Sequence, residues 1–148
     1  MRSLLTLIFL LILTLPVFAG LPFGEPFTLH VGESVQLGDN ELTVGFDGIL
    51  SDSRCPEGVW CFWEGDAASD LWLEAAGIDL QNFVLHTASS FAHTIEVEIY
   101  MITLLRVMPY PVIDVPIDPH TYVAQLVVVR DPVANVERSW GAAKAQYR

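Results

Sequence analysis

Hydrophobic and polar residues alternate along most of this 148-residue chain. In residues 27–31, for example, Phe27, Leu29 and Val31 are separated by polar side chains. Apolar residues at every second position are typical of a β-strand that buries one face. Between such runs lie turn clusters such as residues 38–41, rich in glycine, aspartate and asparagine, which tolerate positive φ or bond to their own backbone.

The alternation predicts seven or eight strands of moderate length. The runs cover residues 27–31, 34–37, 42–50, 67–75, 78–87, 93–108 and 120–130. The longest run, 93–108, turns apolar on both faces from Tyr100 onward, which predicts a strand buried on both sides or crossing between two sheets. It ends at Pro109, because proline cannot donate a hydrogen bond to a sheet.

These strands predict an all-β fold, a single-domain antiparallel β-sandwich of about seven or eight strands, because packing two sheets buries one face of each strand. We assign residues 20–130 to this domain. No amphipathic helix of ordinary length precedes residue 131. Residues 131–148 are expected to form a C-terminal tail or a short helix, for which Asp131 and Pro132 provide an N-cap and a first helical residue.

Residues 1–19 are predicted to be a signal peptide. Arg2 precedes an apolar run that Pro16 breaks, and Val17 and Ala19 supply the residues that signal peptidase reads at positions −3 and −1. The apolar run is too short to span a membrane, and no transmembrane segment is expected after the signal is removed. We therefore expect a secreted or periplasmic protein.

The chain is acidic, with 18 carboxylate and 7 basic side chains and a net charge of −11. Loss of Arg2 with the signal would leave 6 basic residues against 18 acidic ones, or −12. This charge repels phosphate groups, so nucleic acids and anionic membrane surfaces are not expected partners. Hydrophobic residues make up 52% of the chain, which is too many for a disordered acidic protein.

Cys55 and Cys61 predict one disulfide, because two cysteines in an oxidising compartment have one intramolecular pairing. The bridge would close a seven-residue loop, for which chain entropy gives a stabilisation of about 2–2.5 kcal/mol. Redox-active pairs are usually separated by two residues at the start of a helix, which lowers the pKa of the attacking thiol. The wider spacing in this chain predicts a structural disulfide.

The segment around these cysteines carries the most distinctive motif. Residues 52–67 resemble the Asp-Ser-Arg-Cys-Pro-x-Gly-Val-x-Cys-x-Trp-x-Gly-x-Ala signature of a family of small uncharacterised secreted bacterial proteins. Residues 102–111 and 122–128 resemble the same family more weakly. The resemblance implies a secreted, β-rich domain with a disulfide-closed loop, and it implies no activity.

The disulfide loop is the candidate recognition site, because a preorganised turn loses little entropy on binding. Its candidate contact residues, for a protein or a glycan, are Arg54, Glu57, Val59, Trp60 and Trp63. A structural alternative pairs Arg54 with Asp52 or a neighbouring carboxylate and buries the tryptophans in the core or against the disulfide. A rigid loop is also compatible with a protease inhibitor.

Metal and enzyme motifs are absent from the sequence. The four histidines, at positions 30, 86, 93 and 120, form no His-x-His or His-x-x-x-His pair, so only the fold would bring them together. There is no Gly-x-Ser-x-Gly elbow, phosphate-binding glycine loop or His-Glu-x-x-His motif. We expect no catalytic residues, metal ligands or cofactor.

The sequence therefore favours a non-catalytic exported binding or interaction module. The alternative is an exported protein that binds a small ligand or a metal. A hydrolytic enzyme or a protease inhibitor comes third.

Overall fold

The computed structural model describes residues 20–131, which form two four-stranded antiparallel sheets. The strands are β1 (Phe27–His30), β2 (Glu33–Leu37), β3 (Leu42–Asp52), β4 (Ala67–Ala75), β5 (Ile78–His86), β6 (Thr94–Val97), β7 (Tyr100–Met108) and β8 (Val123–Arg130). One sheet has the order β1-β8-β7-β6 and the other β2-β3-β4-β5. The predicted all-β sandwich is confirmed.

The only helical element among residues 20–131 is a 3₁₀ turn at Pro119–Thr121. No helix in this part of the chain is long and apolar enough to cross a membrane. The predicted signal peptide, and the tail or short helix predicted after Asp131, lie outside the described residues.

Alternate residues of the strands form one core between the sheets, as the period-two pattern predicts. In β3, for example, Leu42, Val44 and Phe46 are fully buried, and in β8 Ala124, Leu126 and Val128 are fully buried. Burying an aliphatic or aromatic side chain of this kind stabilises the fold by about 1.5–3 kcal/mol. The core therefore holds both sheets in a fixed position and supports the loops that connect them.

The prediction of one long strand over residues 93–108 is wrong. The chain turns at Glu98, where φ is 54°, and the run divides into the antiparallel pair β6 and β7. Nor is β7 buried on both faces, because Met101, Leu105 and Met108 are exposed on its outer side. No glycine or proline marks this turn in the sequence.

Both ends of the described chain lie at the same end of the sandwich. Leu21 pairs with Leu37 beside the β2–β3 turn, and the Asp131 N–H donates to the Ile99 carbonyl at the β6–β7 turn. The Tyr100 hydroxyl donates to Glu41 at 2.7 Å, and burial together with this carboxylate raises the pKa of Tyr100 to about 12. The β3–β4 and β7–β8 loops lie at the opposite end.

Candidate functional site

The disulfide loop, residues 53–66, continues the β3–β4 hairpin beyond the sheet. The Ser53 N–H donates to the Asp66 carbonyl at 2.7 Å, and the Cys55 N–H donates to the Glu64 carbonyl at 3.0 Å. Above these pairs the predicted Cys55–Cys61 disulfide is present, with 5.9 Å between the two Cα atoms. The outer part of the loop is thus closed by a covalent bond and held at its base by backbone hydrogen bonds.

Gly65 allows the two sides of this base to come together. Its φ is +70°, a conformation that a residue with a Cβ rarely adopts, and a Cβ at this position would overlap the carbonyl oxygen of Ser53. Close approach of the two backbones therefore requires glycine here.

Arg54 fixes the loop to the body of the sandwich. Arg54 is only 6% exposed, and its guanidinium makes four hydrogen bonds. Two go to the Asp52 carboxylate, at 2.9 and 2.6 Å, and the others go to the carbonyls of Val107 and Pro109, at 2.6 and 2.9 Å. The arginine thus joins the disulfide loop to the end of β7. It pairs with Asp52, as the structural alternative predicts. Because it is buried, it is not available for contact with a partner.

Asp52 is ionised in this arrangement. Burial alone would raise the pKa of its carboxyl, but the Arg54 side chain and N–H and the Tyr122 hydroxyl donate hydrogen bonds to it, and the pKa lies below its ordinary value. A charged, two-point contact of this kind gives the loop one orientation.

A second loop, residues 109–122, lies against the first. The Glu57 N–H donates to the Pro111 carbonyl at 2.9 Å, and Glu57 forms a β-bridge with Val112. The Tyr110 ring lies 5.1 Å from the Arg54 guanidinium carbon, within the range of a cation–π contact. The two loops therefore form one end of the molecule.

Exposed apolar side chains crowd the outer part of the disulfide loop, and we call this group the aromatic tip: Val59, Trp60, Phe62 and Trp63. Trp60 is 89% exposed, and Phe62 and Trp63 are each 77% exposed. The Phe62 and Trp63 rings meet edge to face, with 5.0 Å between their centroids. The alternative that buries Trp60 and Trp63 in the core is wrong.

A cleft of about 470 Å³ adjoins the aromatic tip. Trp63 and Phe91 contribute its aromatic side chains, and Glu64 and Asp66 its carboxylates. Ser89 holds Glu64 in place through two 3.2 Å hydrogen bonds, from its N–H and its hydroxyl, to Oε1 of the carboxylate. We call this feature the acidic cleft.

Asp66 connects the cleft to the strand β5. Its Oδ2 lies 2.6 Å from Nδ1 of His86, and its Oδ1 accepts hydrogen bonds from the N–H groups of Thr87 and Ala88 at 3.0 Å each. Burial alone would raise the pKa of the Asp66 carboxyl, but these hydrogen bonds and the adjacent imidazole hold it below its ordinary value.

We therefore expect the free energy of unfolding to fall in acid. The pKa values of Asp52 and Asp66 are lower in the folded than in the unfolded protein, so the stability they provide is complete above about pH 5 and is lost progressively below about pH 4. Urea unfolding at a series of pH values measures this fall. An Asp66→Asn variant should show a shallower fall than an Asp79→Asn variant, which changes an exposed aspartate. Equal slopes would contradict the prediction.

The histidines are distributed over separate parts of the fold. His30, His93 and His120 are exposed on different segments, and His86 pairs with Asp66. Among residues 20–131, no three side chains of histidine, cysteine, aspartate or glutamate are placed to hold a metal ion together.

The predicted contact residues divide between the surface and the interior of the loop. The structure places Glu57, Val59, Trp60 and Trp63 on the exposed surface of the disulfide loop, whereas Arg54 is buried beneath it. The sequence analysis did not single out Phe62, which occupies a variable position of the motif. Nor did it single out Phe91, which lies outside the motif and reaches the cleft from the β5–β6 connection.

A comparison of the chain with protein-family models, with curated proteins and with solved structures found no match.

Proposed function

We propose that this chain is an exported, non-catalytic binding module that contacts its partner through the aromatic tip. We also propose that it belongs to the family of small secreted bacterial proteins that its cysteine motif resembles, and that it acts in the periplasm or outside the cell. The single observation that carries the binding function is the exposure of Trp60, Phe62 and Trp63 on one anchored loop.

Large apolar side chains that stay exposed to water forgo the favourable free energy of burial, unless a partner covers them. Isolated apolar side chains are common on protein surfaces, but contiguous groups of large ones mark interaction sites. Tryptophan is also the residue type most enriched among the side chains that dominate binding energy. The aromatic tip therefore fits a contact surface better than a structural loop.

The anchoring of the loop supports the same function. The disulfide, the Arg54 hydrogen bonds and the bridge to Val112 restrain the backbone beneath the tip. A loop that is ordered before binding pays a smaller entropic cost when it docks.

The acidic cleft favours a second candidate, an exported protein that binds a small ligand. Its volume of about 470 Å³ is within the range of small-molecule sites. Native and denaturing mass spectrometry of protein purified from its own host separates the two candidates. An added mass seen only in the native spectrum would support the ligand-binding function.

Photo-crosslinking tests the proposed function directly. We expect a benzophenone amino acid in place of Trp60 to give a discrete crosslinked product in the exported fraction of the host. The matched control places the same amino acid at Leu80, an exposed residue of β5, which is 57% exposed. The product should disappear when Trp63→Ala is added. Equal labelling from positions 60 and 80, or no product from position 60, would contradict the proposal.

A further inference from the structure

The end of the sandwich that carries the aromatic tip is strongly acidic. Residues 53–66 and 109–122 contain five carboxylates, one histidine (His120) and one arginine (Arg54), which is buried and paired with Asp52. One of these carboxylates, Asp66, pairs with His86. Glu57 and Asp114 are exposed in these loops, and Asp114 lies in the turn that Val112 and Val115 close. Neither loop has an exposed lysine or arginine. The local field at this end therefore attracts cations.

The exposed aromatic rings attract the same kind of group. A lysine ammonium or an arginine guanidinium binds over the face of an aromatic ring, and tryptophan gives the strongest attraction. In the sequence of this loop, Trp63 directly precedes Glu64 and Trp60 follows Glu57 by three positions, and both rings are exposed. Ring and carboxylate together favour a cation over an uncharged ligand.

The acidic cleft has the components that one basic side chain needs. Trp63 and Phe91 provide apolar surface for its methylene groups, and Glu64 provides a carboxylate for its charged end. Because Ser89 already orients Glu64 through Oε1, the second carboxylate oxygen is the one that remains for a ligand. A carboxylate held in place before binding strengthens a charge-assisted hydrogen bond.

We infer that the aromatic tip and the acidic cleft bind a lysine- or arginine-rich segment of another exported protein, with one basic side chain in the cleft between Trp63 and Phe91. This inference rests on the proposed binding function and names the chemistry of the partner. Charge complementarity selects that chemistry, because the tip and its surroundings are acidic and aromatic.

Other occupants fit the charges less well. A second copy of the chain would bring two acidic ends together, which opposes docking of tip against tip. Anionic lipids and nucleic acids are repelled by the same carboxylates. A neutral glycan would stack on the tryptophans but would gain nothing from the net negative charge. The test must therefore distinguish a glycan from a basic peptide.

Selection from random twelve-residue peptides displayed on phage tests this inference with the full exported chain as bait. The selected peptides should contain a clear excess of lysine and arginine over aspartate and glutamate. Fluorescence anisotropy then measures the affinity of one selected peptide for the protein and its variants.

Matched variants distinguish the site from the general acidity of the chain. Glu64→Gln and Trp63→Ala are each expected to weaken peptide binding about tenfold, the loss typical of one charged hydrogen bond or one buried aromatic contact. Glu74→Gln removes one exposed carboxylate from β4, far from the disulfide loop, and should change the affinity less than about twofold. Circular dichroism would verify that the variants are folded.

The peptide-binding measurements have several outcomes that would overturn the inference of a basic partner. Equal effects of Glu64→Gln and Glu74→Gln would overturn the inference, because binding would then reflect net charge alone. Selected peptides without basic residues, or Trp63-dependent binding of a neutral oligosaccharide that Glu64→Gln leaves unchanged, would overturn it while the proposed binding function stands. A selection with no enrichment would also overturn it, and crosslinking from position 60 would decide the proposed function separately.

Discussion

An Arg54→Ala variant is expected to lose about 3–5 kcal/mol of unfolding free energy, the usual cost of removing one partner of a buried ion pair. The substitution leaves the Asp52 carboxylate without its bidentate partner and leaves the carbonyls of Val107 and Pro109 without donors. The Tyr122 hydroxyl, which donates to Asp52 at 3.0 Å, cannot replace a positive charge. Urea unfolding followed by circular dichroism measures the loss.

Arg106→Ala is the matched control, because Arg106 is an arginine on the exposed surface of β7. It should change stability by less than about 0.5 kcal/mol. Combining Arg54→Ala with Asp52→Ala should cost less than the sum of the single substitutions, since the double variant leaves no unpaired buried charge. A loss below about 1 kcal/mol for Arg54→Ala would show that the ion pair does not anchor the loop.

Gly65→Ala is expected to cost about 3 kcal/mol or more of unfolding free energy, the sum of a conformational cost and the cost of steric overlap. Placing alanine in the left-handed region costs about 1–2 kcal/mol. In addition, the new Cβ would overlap the Ser53 carbonyl and force apart the hydrogen-bonded base of the disulfide loop. The same unfolding measurement detects this loss.

Gly58→Ala separates these two contributions. Gly58 has a φ of +85°, but nothing lies within 4 Å of the position that its Cβ would take. It should therefore show only the conformational cost of about 1–2 kcal/mol. If Gly65→Ala and Gly58→Ala destabilise the protein equally, close backbone approach is not the reason for glycine at position 65.

The strands could be predicted because their pattern is local. Leu42, Val44 and Phe46 alternate with less hydrophobic residues within five positions, and that spacing alone determines which side chains share a face. The division between β6 and β7 could not be predicted in the same way. Glu98 adopts a positive φ there because the sandwich requires a turn, and no glycine, asparagine or proline indicates it.

In the candidate site too, contacts between residues close in sequence could be predicted and contacts between distant residues could not. The pairing of Arg54 with Asp52 spans two residues and could be anticipated, but its bonds to Val107 and Pro109 cross more than fifty positions. The sequence motif drew attention to Trp60 and Trp63 without indicating whether they were buried. Only the fold shows that the loop projects beyond the sheet and that Phe91 adjoins it.

The position of the chain ends determines how the molecule can be attached to a surface. Residues 20 and 131 leave the domain at the end opposite the aromatic tip, separated from it by the length of β8, about 25 Å for eight strand residues. A support attached directly beside residue 20 or residue 131 therefore holds the domain by that end. The disulfide loop then lies on the side of the domain that faces away from the support, so attachment beside residue 20 or residue 131 leaves the aromatic tip accessible.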